Sequence, residues 1–128
     1  MRDIWFRGKR LDNKDWVYGY YFSSDEMPKR GEIGHFIKCG LNAEFMVDPS
    51  TVGQFTGKRV KSGEVFDGDI GKSIDGIFLV AWSEEKSAFV MHFYDYPNET
   101  LYLEEMWDDS EIIGTIHDKP NLLESEGK

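Results

Sequence analysis

The sequence is poor in cysteine, since Cys39 is the only one among 128 residues. An internal disulfide needs a second sulfur, and a thiolate zinc site needs several ligands close together. A chain without disulfides fits a reducing compartment. We therefore expect a cytoplasmic protein.

Long hydrophobic runs are also missing. No apolar stretch approaches the roughly 20 residues that a membrane-spanning helix needs. At the start of the chain, Arg2, Asp3 and Arg7 interrupt the apolar residues too early for the core of a signal peptide. We expect neither a membrane partner nor a secretory leader.

Helical periodicity is not sustained anywhere beyond about two turns, and this lack argues against a helical protein. Aromatic residues are instead abundant, with four Trp, six Tyr and nine Phe. Flat rings favour strands, where they cover a pleated face and one another. The composition predicts a mostly β fold.

Positive charge is scarce towards one end of the chain. The formal net charge is -9, and residues 95–128 hold ten acidic residues against Lys119 and Lys128. The first 94 residues are close to neutral, with 14 acidic and 13 basic residues. Such a distribution disfavours general binding to phosphate backbones, so we do not expect nucleic acid as the main partner.

The sequence predicts an aromatic β-hairpin region in the first part of the chain. Residues 4–6 and 16–22 are aromatic and β-branched, and a polar stretch separates them. Gly19 inside the second run indicates a bulge or a close approach of two backbones. Residues 33–38 and 43–47 predict two further short strands.

The sequence predicts a meander of short strands in the second part of the chain. Residues 51–70 are rich in glycine and are expected to be dominated by turns. Five short strands are then predicted between residues 69 and 117, with Asp75-Gly76 as a type I′ hairpin turn. Residues 100–107 fit either a strand or a short helical turn. Five such strands match a small, partly open barrel, so we divide the chain into an N-terminal β-rich region, residues 1–66, and a small barrel with an acidic end, residues 67–128.

Four ordered blocks of this sequence resemble the YopX-like proteins encoded by bacteriophages and prophages. The blocks are residues 4–7 with 16–19, residues 51–57, Gly63 with residues 68–70, and residues 112–120 with Leu122 and Leu123. Between Gly57 and Gly68 the chain is one residue shorter than the usual pattern of this family. The resemblance implies a β-rich fold, a phage or prophage origin in a bacterial host, and a family without an established biochemical activity or catalytic residues.

Aromatic residues of the first hairpin are the candidates for self-association. The run from residue 16 to residue 22 is apolar on both faces, and a small domain covers only part of its apolar surface. A symmetric oligomer hides both the excess rings and the strand edges. The interface candidates are Trp5, Trp16, Tyr20 and Tyr21.

One basic cluster beside an aromatic residue supports an alternative function. Small barrels bind single-stranded nucleic acid by base stacking and backbone charge. A solvated hairpin tip is the reading that we favour for this cluster. The candidate contacts are Phe55, Lys58, Arg59 and Lys61.

Carboxylates, histidines and the cysteine give weaker indications. Asp67 and Asp69, with Glu64 nearby, could hold a hard cation, but turns that enter strands use Asp and Gly for their conformation anyway. His35, Cys39, His92 and His117 lack the spacing of metal ligands, and we assign no metal site. The acidic run from residue 104 to residue 111, which contains Met106 and Trp107, suits a basic host protein, although we favour a solvated face.

We therefore interpret the chain as a non-enzymatic phage or prophage accessory protein that acts through protein contacts, as a homo-oligomer with a host or phage protein as a further partner. No cofactor is expected. The alternatives are a nucleic-acid-binding barrel that uses residues 58–61 and, with less support, a metal-dependent enzyme.

Overall fold

The computed structural model describes residues 4–26 and 31–125. The chain divides into two compact units, Met1–Phe55 and Thr56–Lys128. The sequence-based boundary between residues 66 and 67 lies inside the second unit, between two strands, and the division into a 1–66 and a 67–128 domain stays a prediction.

The fold is mostly β, as the sequence predicts. The strands are β1 (Phe6–Lys9), β2 (Trp16–Ser24), β3 (Gly34–Gly40), β4 (Ala43–Met46), β5 (Gly53–Val60), β6 (Gly63–Phe66), β7 (Asp69–Ser73), β8 (Gly76–Ser83), β9 (Ala88–Phe93), β10 (Thr100–Tyr102) and β11 (Glu111–Thr115). The helical segments are two 3-10 turns, Pro49–Thr51 and Leu103–Glu105, and one short helix, α1 (Leu122–Ser125). None of the helices in the described ranges has the length and apolar character needed to cross a membrane.

The strands form two antiparallel sheets. The first has the order β4-β3-β2-β1-β5-β6, and the second has the order β10-β9-β8-β7-β11. Over the described residues neither sheet closes on itself. The five predicted strands between residues 69 and 117 are all present, and they stay an open sheet.

In the first unit, β1 and β2 form the predicted aromatic hairpin, with Phe6 opposite Gly19 and Lys9 opposite Trp16. At Gly19 the predicted close approach is observed, because a Cβ atom there would overlap the backbone carbonyl oxygen of Lys38 on β3. The two other predicted strands are β3 and β4, and the most buried apolar side chains of this unit are Ile37, Val47 and Phe55.

In the second unit, the core lies on β5, β6, β8 and β9 and on the segment that follows β10. Phe78 is fully buried and contacts Phe93, with ring centroids 5.3 Å apart. Its cross-strand partner is Gly71, where a Cβ atom would overlap the Phe78 ring. The buried cluster consists of Val60, Val65, Phe78, Val80, Phe89, Met91, Phe93, Leu103 and Met106.

Two local predictions are corrected. Residues 53–66 are not dominated by turns, because Gly57 and Gly63 take positive φ angles of 89° and 129° inside a hairpin whose strands remain paired. The hydroxyl of Thr56 joins these strands by donating to the Val65 carbonyl at 2.7 Å. Residues 100–107 combine both predicted alternatives, a three-residue strand followed by a 3-10 turn.

The hairpin at Asp75 is confirmed, but the predicted turn type is wrong. Ser73 pairs with Gly76, so the two turn residues are Ile74 and Asp75. Among the described non-glycine residues only Lys14 and Ser87 have positive φ, whereas a type I′ turn needs positive φ at both central positions. The positive φ of 121° lies at Gly76, one position later.

Replacement of Gly19 by alanine is expected to lower the free energy of unfolding by about 2–3 kcal/mol, because the added methyl group must displace the β3 backbone. Gly40→Ala is the matched control, since a Cβ atom at this β3 position has no neighbour within 4 Å. We expect the control to change stability by less than about 0.5 kcal/mol. Urea denaturation of the two variants measures both values, and equal effects would contradict the proposed close approach.

A double-mutant cycle tests the contact of Gly71 with Phe78. Gly71→Ala alone is expected to destabilise by about 1–3 kcal/mol through overpacking, and Phe78→Leu alone by a comparable amount through lost ring contacts. The double variant should be more stable than the sum of the two losses predicts, because the smaller side chain leaves room for the methyl group. Strict additivity in thermal or urea denaturation would show that the two positions do not touch.

Candidate interaction surfaces

Three aromatic side chains lie on one side of β2, because alternate residues of a strand point in the same direction. They are Tyr18, Tyr20 and Phe22, which are 45%, 69% and 36% exposed. We call these three residues the aromatic row. A row of large rings exposed along a paired strand is an unusual feature for a solvated surface.

Neighbouring rings hold the ends of the aromatic row in place. The Trp5 ring lies 6.0 Å from the ring of Tyr18, and Phe36 on β3 stacks on Phe22 at 5.2 Å with an interplanar angle of 15°. Such ring pairs restrict side-chain rotation. The two ends of the row are therefore packed against rings of the protein itself.

The four predicted interface residues differ in exposure. Tyr20 is the most exposed of them, whereas the others are half-buried. Trp16 lies under two cations, Arg7 at 4.6 Å and Lys9 at 5.5 Å from its ring. Trp5 packs on Phe55 with centroids 5.3 Å apart.

Tyr21 points to the opposite side of β2 from Tyr20. Its hydroxyl shares a hydrogen bond of 2.5 Å with Nδ1 of His35, and the two rings are parallel. Tyr18 and Phe22 are not among the predicted interface residues, although the alternation of β2 groups them with Tyr20. The assignment of all these residues to an interface stays a prediction.

The basic cluster is only partly suited to stacking on bases. Phe55 is 1% exposed, so its ring is not available at the surface. Arg59 lies 3.9 Å from Glu64 across the β5–β6 hairpin, and Lys58 is half-buried. Lys61 is exposed in the hairpin turn. The cluster therefore presents positive charge, but its one aromatic ring is buried.

The carboxylate of Asp69 stabilises the turn that precedes β7. Asp69 is 1% exposed, and its Oδ2 accepts a hydrogen bond of 2.7 Å from the backbone N–H of Phe66. Asp67 is half-buried, and Glu64 is exposed beside Arg59. Within residues 4–26 and 31–125, no group of three or more His, Cys, Asp or Glu side chains is arranged to hold a metal ion.

The histidines and the cysteine are dispersed. His35 is engaged with Tyr21, and Cys39 is exposed near the end of β3. His92 is exposed on β9, and His117 follows β11. These positions show no pairing of a thiol with an imidazole in the described part of the chain.

An open cavity of about 370 Å³ lies in the first unit, beside the loop after β1. Arg10 donates two hydrogen bonds to Asp12, at 2.8 Å and 2.5 Å, and its guanidinium covers the Phe45 ring at 4.2 Å. The hydrogen bond from Arg10 is the main reason why the pKa of Asp12 lies below its ordinary value. Because Asp12 is exposed and Arg10 is partly exposed, solvent screens the pair and it contributes little to stability.

A smaller cavity of about 30 Å³ lies in the second unit. Its wall contains the buried side chains of Met91, Phe93 and Met106, and its rim contains Leu101, Trp107 and two acidic residues, Asp75 and Glu105. Ser110 is also part of the wall. We call this feature the acidic-rim cavity.

Exposed acidic residues and aromatic rings flank the residues of the acidic-rim cavity along the sequence. Trp107 is 62% exposed and Tyr96 is 52% exposed. The exposed acidic residues of this stretch are Asp95, Glu99, Glu104, Glu105, Asp108, Asp109 and Glu111. The acidic run that sequence analysis identified is therefore at the surface, together with its tryptophan.

Comparison with known proteins identifies a family. No curated protein matches the chain. The family model described as YopX protein matches residues 5–124, which is nearly the whole sequence. The resemblance drawn from the four sequence blocks is thereby confirmed, and the chain belongs to the YopX protein family.

Proposed function

We propose that this protein is a non-enzymatic accessory protein of a phage or prophage, and that it acts in the bacterial cytoplasm through protein contacts. The observation that carries the proposal is the aromatic row on β2. Exposed aromatic side chains are enriched where proteins meet, because they bury a large area at a small cost in side-chain entropy.

The occupant that we propose for the aromatic row is a second copy of the chain. Residues 1–55 contain eight acidic and eight basic residues, so two copies of the first unit approach without net repulsion. Residues 56–128 contain 16 acidic and seven basic residues, and two copies of that unit repel each other. A two-fold axis across β2 brings the row of one copy against the same row of the other, which is the commonest symmetry of soluble oligomers.

Sedimentation velocity over a dilution series tests this proposal. The native protein is expected to associate at micromolar concentration, and Tyr20→Glu should raise the dissociation constant by at least about 30-fold, since a central interface tyrosine contributes about 2 kcal/mol or more. Tyr96→Glu is the matched control, because Tyr96 is a comparably exposed ring in the second unit. It should leave association unchanged apart from a small charge effect.

Two results would contradict the proposal. One is a monomeric mass for the native protein at high micromolar concentration. The other is an interface formed mainly by residues 95–128, which Tyr96→Glu would weaken more than Tyr20→Glu does.

Binding to duplex DNA is expected to be weak and strongly dependent on salt, because the local positive charge of the second unit is concentrated at Lys58, Arg59 and Lys61. Titration of labelled DNA at physiological salt should give a dissociation constant well above micromolar. Lys58→Glu with Arg59→Glu is compared with Lys72→Glu and Lys86→Glu, which reverse the same number of charges elsewhere in the unit. Sub-micromolar affinity that only the first pair abolishes would favour a nucleic-acid function instead.

A further inference from the structure

We propose that Asp75 is a site of spontaneous covalent modification, in which its link to Gly76 passes from the α-carboxyl to the β-carboxyl group and leaves isoaspartate. The dipeptide Asp-Gly occurs twice in the chain, as Asp67-Gly68 and Asp75-Gly76. Both pairs lie in turns of the second unit, before β7 and after it. The structure leaves Asp75-Gly76 open to the reaction and protects Asp67-Gly68.

The reaction needs water as its only co-reactant. The backbone nitrogen of the glycine attacks Cγ of the aspartate and loses its proton, and a carboxyl oxygen leaves as water, which closes a five-membered succinimide ring. A glycine favours this attack because no Cβ atom shields its nitrogen. Water then opens the ring, and cleavage of the bond between the nitrogen and the former main-chain carbonyl carbon gives isoaspartate. One water leaves and one enters, so the mass of the protein is unchanged.

The Asp75-Gly76 pair lies in an exposed turn. Asp75 is exposed, and the preceding Ile74 is 92% exposed. Gly76 forms the last pair of the β7–β8 ladder, opposite Ser73. Among the described residues, the nearest atom to a Cβ position at Gly76 is a carboxylate oxygen of Asp95, at 3.8 Å. Exposed turns and terminal pairs open at the smallest cost in free energy, so a small local movement brings the nitrogen to the carboxyl group.

The Asp67-Gly68 pair is held by buried hydrogen bonds. The glycine is buried, and its N–H donates to the carbonyl of Val80 at 2.8 Å, while its own carbonyl accepts from the N–H of Ile116 at 2.9 Å. Val80 is fully buried, and the flanking Phe66 and Asp69 are 3% and 1% exposed. Attack by this nitrogen requires the buried hydrogen bond to break, which costs far more than the opening of an exposed turn.

The modification has a structural consequence for the β7–β8 hairpin. Isoaspartate carries the main chain through its Cβ atom, so the turn becomes longer by one methylene group. In the unmodified ladder Gly71 pairs with Phe78, and the Phe78 ring occupies the space above the glycine. A longer turn disturbs the register that sets this contact. We therefore expect the modified second unit to be less stable.

The experiment incubates the full-length protein in neutral buffer for several weeks and measures isoaspartate in tryptic peptides by electron-transfer mass spectrometry, in which the two isomers give different backbone fragments. Cleavage after Lys61, Lys72 and Lys86 places the two Asp-Gly pairs in separate peptides, residues 62–72 and 73–86. Each sample thus contains its own internal comparison. The same chain incubated in concentrated guanidinium chloride is the matched control, because unfolding removes the structural difference between the two turns.

In the native protein, isoaspartate is expected to form at least about fivefold faster in peptide 73–86 than in peptide 62–72, because a buried turn opens more rarely than an exposed one. In guanidinium chloride the two rates should agree within about twofold, since both turns are then open. Asp75→Glu should form no isomer at this position, because attack on the longer side chain would have to close a six-membered ring, which is much slower. Its melting temperature should stay constant during the incubation, whereas the native protein should develop a lower-melting fraction in proportion to its isoaspartate content.

Equal rates in the two peptides of the native protein, or a faster rate in peptide 62–72, would overturn the proposal. A fivefold difference that persists in guanidinium chloride would overturn it as well, because the flanking sequence and not the fold would then set the reactivity. An unchanged melting temperature in protein that carries isoaspartate at position 75 would refute the effect on the hairpin. None of these outcomes bears on self-association through the first unit, which sedimentation measures separately.

Discussion

The close packing of Gly19 against the backbone of Lys38 is the constraint on which the first unit depends. Only a residue without a side chain lets β2 approach β3 at this point, and the contact fixes Tyr20 opposite Lys38. Because the side-chain period of a strand is two, a slip of one residue would turn Tyr20 inward and Tyr21 outward. The register at Gly19 therefore decides which tyrosine meets solvent and which meets His35.

The two units use their charge in opposite ways. The first is balanced and exposes a row of aromatic side chains along β2, so two copies of it can approach without net repulsion. The second is strongly acidic and mixes rings with carboxylates, so it attracts a surface unlike itself. In our proposal the first unit therefore supplies the symmetric contact, whereas the charge of the second unit keeps its copies apart.

The sequence predicted most of the fold where strands are regular. Alternation in β2, β8 and β9 is visible in the residues themselves, and five strands were expected where five occur. The hairpin of β5 and β6 was missed because Gly57 and Gly63 suggest turns, and pairing with a neighbouring strand decides otherwise. The Asp75-Gly76 pair predicts the β7–β8 turn one residue too far along the chain, because the register of the hairpin depends on how the two strands pair.

The surfaces could be predicted less well from the sequence. Exposed Tyr20 could be inferred from a strand with two apolar faces, but the cations over Trp16 and the imidazole beside Tyr21 come from pairing across strands. The acidic-rim cavity joins residues from β7 to the turn before β11, and no short motif marks it. Local sequence patterns do not reveal contacts between residues that are distant in the chain.

The position of β11 has a consequence for the order in which the second unit forms. Strands β7, β8 and β9 pair with their neighbours in sequence, whereas β11 closes on β7, with Ile112 opposite Gly71 and Thr115 opposite Asp69. Ribosomes deliver β7 about 40 residues before β11, and sequential hairpins close faster than long loops. The buried strand β7 therefore waits with one open edge while the rest of the meander is already paired. A nascent chain at this stage exposes a template for β-pairing with other chains, and the arrival of β11 is the step that ends this exposure.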